Sequence, residues 1–101
     1  MSKTNERIVV DLNAIYENYA AKQHKVVLHN DDYTPMEYVI LVLTSIFHKS
    51  IEDAVSDMLE AHSLGSSVIG SYDQNEAIDL VDQANALNDA FEMQLRLTIE
   101  S

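Results

Sequence analysis

With two glycines and one proline in 101 residues, the chain has few positions where the backbone turns freely. Its breaks must fall at Pro35, Gly65 and Gly70, or where polar side chains cap and bend it. The elements between these breaks follow from local chemistry. Lys25 to His29 carries Val26, Val27 and Leu28, an apolar, largely β-branched run that predicts a strand ending at the polar cluster Asn30-Asp31-Asp32. Thr34 as a cap, Pro35 at the first helical position and Glu37 reaching back predict a helix that starts with a capping box and runs to about His48. Ser50 before Ile51-Glu52-Asp53 predicts the cap of a second helix, which carries Ala54, Met58, Ala61 and His62 towards one face and stops at Gly65. Ser67 to Ile69 reads as a short strand and Asp73 to Phe91 as a third helix. Met93 to Ile99 reads as a strand alternating Met93, Leu95, Leu97 and Ile99.

The order is β-α-α-β-α-β. It predicts an α+β fold in which helices cover one face of a three-stranded, mainly antiparallel sheet. The core domain is expected over residues 25–101. Residues 1–24 are expected as an N-terminal extension, flexible or partly helical, because Leu12, Ile15, Tyr16 and Tyr19 recur at helical spacing within polar sequence. That stripe is expected to dock on a partner or on the body, or to fray.

Composition narrows the function. A hydrophobic fraction of 47% is ordinary for a folded domain, whereas no apolar run approaches the ~20 residues that span a bilayer. Met1 to Lys22 lacks the basic start and apolar block of a signal peptide, so a soluble, cytoplasmic protein is expected, or one from an organelle stroma if the chain is a processed form. Without cysteine there is no disulfide, thiol nucleophile or thiolate metal site. A net charge of -11 disfavours nucleic acid and anionic membranes and points to a neutral or basic partner. There is no His-Glu-x-x-His spacing and no Gly-x-Ser-x-Gly elbow, and His24, His29, His48 and His62 are dispersed. Asp31, Asp32 and His62 can be drawn as a metal or acid/base site, but the signal is weak. No enzyme activity, metal or cofactor is expected.

Asn30, Asp31 and His62 carry a more specific reading. A free α-amino group is a compact cation with several donors, so its receptor needs a carboxylate, an amide oxygen and a neutral imidazole nitrogen. These three residues supply that set. Taken singly they are ordinary: Asn-Asp-Asp is commonly a turn, a lone histidine usually sits at the surface, and Met36, Val39, Met58 and Leu95 suit any small core. Their joint occurrence lifts the reading. An imidazole that must accept loses that ability on protonation, so binding is expected to weaken in acid.

The run Asn30-Asp31-Asp32-Tyr33-Thr34-Pro35-Met36-Glu37, followed by Met58-Leu59-Glu60-Ala61-His62-Ser63-Leu64-Gly65 and Gly70, resembles the ClpS family. The resemblance covers roughly Lys25 to Glu100. It implies a non-enzymatic adaptor that reads N-degrons, proteins beginning with Leu, Phe, Tyr or Trp, and delivers them to a Clp AAA+ unfoldase of ClpA or ClpC type. It places the α-amine contacts on Asn30, Asp31 and His62. The side-chain pocket falls on Asp32, Thr34, Met36, Val39, Met58, Ala61 and Leu95, with Asp32 and Thr34 at the rim and Met36 as a gate against β-branched residues. Ala61 is smaller than the family's usual valine. The chain departs from the family at Asp79-Leu80, where a basic docking residue is common, and at Gln94-Leu95, where Pro-Leu is usual. A competitor or decoy that binds without delivery is therefore the alternative, with a structural domain carrying a vestigial pocket behind it.

Overall fold

The computed structural model describes residues 11–19 and 22–101; the first ten residues of the expected extension, and residues 20–21, lie outside the described residues. Residues 11–19 form helix α1. β1 (His24–His29), α2 (Met36–Ser45), α3 (Ile51–Leu64), β2 (Ser66–Tyr72), α4 (Gln74–Phe91) and β3 (Leu97–Glu100) follow. The order after α1 is the expected β-α-α-β-α-β. The sheet runs β2-β1-β3 with both pairings antiparallel, so β1 is central.

One face of the sheet carries the core. Val26 and Leu28 from β1, Ile69 from β2 and Leu97 from β3 bury against Tyr38, Val42 and Leu43 of α2, Met58 and Ala61 of α3, and Ala77, Leu80 and Ala84 of α4. On the other face Lys25 and Val68 are exposed, as a half-covered antiparallel sheet allows. The register shifts between Val26 and Val27: Val26 faces Gly70 but Val27 faces Val68, leaving Ile69 as an extra residue turned into the core. Gly70 lies within β2, not after it, and the strand continues to Tyr72 beyond the expected Ile69. The Tyr72 ring covers Gly70 so closely that a Cβ there would sit 2.7 Å from the ring carbons Cε2 and Cζ. The same ring packs on Phe47 with centroids 6.3 Å apart.

Element boundaries correct the sequence reading in three further places, two in α2 and one in β3. α2 starts at Met36 with Pro35 at the N-cap and no side-chain cap, because the Thr34 hydroxyl is bonded elsewhere, to Asp31. It stops at Ser45 and not at His48. Phe47 turns into the core, His48 takes a left-handed φ of 55°, and the Lys49 N–H reaches back to the Leu43 carbonyl. β3 begins only at Leu97. Its partner β1 ends at His29, so the segment from Met93 keeps the alternating burial but has little to pair with: the His29 N–H reaches Arg96, and the Asn30 N–H is given to Gly65 instead.

Other local expectations hold. Ser50 accepts from the Asp53 N–H at 3.1 Å, satisfying a donor that a helix start leaves open; Asp73, read from the sequence as the first residue of the third helix, is instead its N-cap and accepts from the Glu76 N–H at 2.8 Å. Gly65 ends α3 at φ 92°, a left-handed position. Space around it is open, so Gly65→Ala meets no neighbour and is opposed by its dihedral alone. A loss of about 1 kcal/mol is expected in denaturant unfolding. Glu92 holds the equivalent position after α4 at φ 55°, where the Met93 N–H donates back to the Asn88 carbonyl.

The α1 stripe does not bury itself on the core: Leu12, Ile15, Tyr16 and Tyr19 are 56–73% exposed.

Candidate functional site

The end of β1 and the end of α3 are tied together. The Asn30 N–H donates to the Gly65 carbonyl at 3.0 Å, which brings Asn30 beside the last turn of α3, where His62 lies exposed one residue past buried Ala61. The sequence reading grouped His62 with the apolar face of α3. The structure puts it at the edge of that face, available to solvent.

Between Asn30 and α2 the chain folds around Asp31. Its Oδ1 accepts from the N–H groups of Tyr33 (2.8 Å) and Thr34 (2.6 Å), and its Oδ2 accepts from the Thr34 hydroxyl (2.7 Å). A carboxylate bonding the backbone two and three residues ahead is the Asx turn expected of such a cluster. Partial burial pushes the Asp31 carboxyl up, but the donors, led by the Thr34 hydroxyl, outweigh it and hold the group below its ordinary value of 3.8. The turn thus keeps Asp31 ionised, and Oδ2, with one protein donor, retains room for another.

Behind this rim is a cavity of about 400 Å³. Its lining includes all ten residues singled out from the sequence: Asn30, Asp31, Asp32, Thr34, Met36, Val39, Met58, Ala61, His62 and Leu95. Val39, Met58, Ala61 and Leu95 are buried and form an apolar floor, while Met36 stands 58% exposed at the mouth. Leu28, His29 and Leu59 line it as well. Leu28 was legible in principle, since it lies two residues before Asn30 and strand alternation puts the two on one face. His29 has its ring nitrogen Nε2 2.7 Å from the Thr98 hydroxyl, joining β1 to β3.

One supporting contact lay beyond sequence reasoning. The buried Asn88 amide of α4 accepts from the Tyr38 hydroxyl at 2.8 Å and donates to the Leu95 carbonyl at 2.9 Å. It links the helix that carries Val39 to the segment that carries Leu95. Tyr38 also packs edge-on against Phe91, at 6.1 Å between centroids, and burial pushes its phenol above the ordinary value. No motif marks such a pair, because the two residues are 50 positions apart.

The site has an apolar interior and a mouth bearing an ionised carboxylate, an amide and an imidazole, with no Lys or Arg among its lining residues. Among the described residues, no three His, Asp or Glu side chains are grouped to hold a metal ion. This suits a ligand with a cationic, hydrogen-bonding head and an apolar side chain.

The family model for the ATP-dependent Clp protease adaptor protein ClpS matches residues 20–98. The chain belongs to the ClpS family. It is 43% identical over 77 residues to the ClpS adapter protein of Myxococcus xanthus, covering 76% of this chain and 72% of the relative. It is 40% identical over 83 residues to the ClpS adapter protein of Campylobacter jejuni, covering 78% and 84% respectively. Among solved structures it is similar to Agrobacterium tumefaciens ClpS2 bound to L-phenylalaninamide, with a TM-score of 0.74 and 35% identity over 78% of this chain and 95% of that one. The ClpS fold is thus the fold of this chain, and the family is one of Clp protease adaptors.

Proposed function

We propose that this ClpS-family chain binds the free α-amino group and the bulky hydrophobic first side chain of N-degron proteins, and delivers them to a Clp-type AAA+ unfoldase and its peptidase. The observation that carries the reading is the placement of Asn30, Asp31 and His62 at the mouth of an apolar cavity. The resemblance to a ClpS2 bound to L-phenylalaninamide, a free amine attached to a benzyl side chain, adds support. In this reading Asp31 holds the ammonium, Asn30 and His62 accept from its remaining hydrogens, and the floor takes Leu, Phe, Tyr or Trp. Met36, unbranched and partly exposed, suits a mouth that admits several shapes.

Energetics requires both halves. Burying a Leu or Phe side chain contributes roughly 1.5–3 kcal/mol, too little to offset association unaided. The amine subsite supplies the rest and the discrimination, since an acetylated terminus leaves polar groups without partners. Acetylating a Phe-initiated peptide is expected to weaken binding about 100-fold or more in a fluorescence titration, with Leu- and Phe-initiated peptides bound and Ile rejected. Retained affinity for the acetylated peptide would falsify the reading.

A second reading, binding without delivery, is favoured by one observation. Asp73, Glu76, Asp79 and Asp82 of the α4 region are all exposed and give that surface a negative charge. Degradation of a Phe-initiated reporter by ClpA or ClpC with their peptidase, with and without this chain, separates the two: delivery accelerates turnover, whereas a competitor slows it.

A further inference from the structure

The sheet order β2-β1-β3 leaves β3 at one border, and no described strand pairs with its outer side. The direction of its backbone groups is set by β1. The His29 N–H donates to the Arg96 carbonyl, and the register continues through Leu28 with Leu97, Val27 with Thr98, Val26 with Ile99 and Lys25 with Glu100. Antiparallel partners exchange bonds at alternate residues, so Arg96, Thr98 and Glu100 turn their peptide groups inward to β1, while Leu97 and Ile99 turn theirs outward. Side chains alternate on the same period. Leu97 and Ile99 face the core, and Arg96, Thr98 and Glu100 lie on the open face, where the Thr98 hydroxyl meets the His29 ring.

We infer that this border pairs with the same border of a second copy, β3 running antiparallel to β3 about a two-fold axis at Thr98 and joining the two sheets into one of six strands. The residues are self-complementary across that axis. Arg96 comes opposite the partner's Glu100, Leu97 opposite the partner's Ile99, and Thr98 opposite the partner's Thr98. The hydrogen-bond phase agrees, because Leu97 and Ile99, the residues with outward N–H and C=O groups, face each other in this register. A shift of one residue sets outward groups against inward ones, and a shift of two keeps the phase but loses both charge pairs. Arg96 and Glu100 are exposed and make no ion pair with any described residue, although Lys25 stands opposite Glu100 on β1. β2, the other border of the sheet, carries the extra residue Ile69, a bulge of the kind that blunts an edge against pairing. β3 meets β1 without a register shift and contains no proline. A recess of about 420 Å³ with Asn85, Asp89, Arg96 and Leu97 in its lining borders the start of β3, where the end of the partner's strand arrives.

The test is sedimentation equilibrium of the full chain at about 0.15 M ionic strength, where repulsion between two acidic chains is screened beyond about 8 Å. One strand pair buries far less than the ~1,200 Å² of a stable complex, so a weak dimer is expected, half formed on the order of 100 µM. Arg96→Glu and Glu100→Arg are each expected to weaken it about tenfold, since both symmetry-related ion pairs become like-charge pairs. An equimolar mixture of the two variants is expected to associate as wild type does, because the changes complement each other across the axis. The two changes move the net charge in opposite directions. Association that weakens in Arg96→Glu and strengthens in Glu100→Arg therefore follows net charge alone and overturns the inference. Association that neither variant alters places the contact on another surface and overturns it too, as does a mixture no stronger than its components. A wild-type chain that stays monomeric up to about 1 mM, tenfold above the expected midpoint, overturns it outright.

Discussion

Asp31→Ala is expected to weaken binding of a Phe-initiated peptide about 100-fold or more, the largest effect of any single change at the site. Two losses combine. The ammonium loses its charged acceptor, and the Tyr33 and Thr34 N–H groups and the Thr34 hydroxyl lose the carboxylate that folds the turn. Asp31→Asn separates them, because an amide oxygen still accepts from the backbone but carries no charge. It is expected to bind nearly as poorly as alanine while retaining more of the stability. Thr34→Val removes only the bond to Oδ2 and is expected to cost a few-fold in affinity, on the scale of one hydrogen bond. Wild-type affinity in Asp31→Asn would show that charge plays no part and would defeat the amine-receptor model.

The direction of the Asp31 shift has a sign that can be checked in unfolding experiments. Its folded-state carboxyl is held below the ordinary 3.8, so on acidification the unfolded chain takes up this proton first. The contribution of the turn to stability is therefore complete above the ordinary value and is lost as the pH falls through the depressed one. The stability gap between wild type and Asp31→Asn is expected to stay constant from pH 7 down to about 5 and to close below 3.8.

Asn88→Ala is expected to destabilise the fold by about 2–4 kcal/mol in denaturant unfolding, far more than truncation of an exposed polar residue. The amide is 8% exposed and satisfies two buried groups at once, the Tyr38 hydroxyl and the Leu95 carbonyl. Removing it strands both and leaves a hole between α2, α4 and the segment leading to β3. Tyr38→Phe orphans only Asn88 Oδ1 and is expected to cost about 1–2 kcal/mol. Because Leu95 is part of the cavity floor, Asn88→Ala is also expected to reduce peptide affinity at temperatures where the protein remains folded. Unchanged stability in Asn88→Ala would mean that the amide is not the tie described above.

Local chemistry determined much of this molecule. The cap at Ser50, the stop at Gly65 and the strand at Val26 to Leu28 depend on groups a few residues apart, and so they could be read in order along the chain. The Asn-Asp-Asp turn belongs with them, since its bonds span two and three residues. Asn30, Asp31 and His62 were grouped by the chemistry an α-amine needs, and the other seven candidate residues came through a family resemblance, since nothing in the spacing alone brings these ten together. Contacts between distant segments decided the rest. Thr34 had two chemically reasonable uses, capping α2 or bonding Asp31, and the folded turn chose the second. The Tyr72 ring made Gly70 part of a strand, and the end of β1 at His29 shortened β3. Tyr38 and Asn88 became partners across 50 residues. A hydrogen bond between near neighbours is written in the order of residues; a buried bond or a shared cavity wall exists only once the chain has closed on itself.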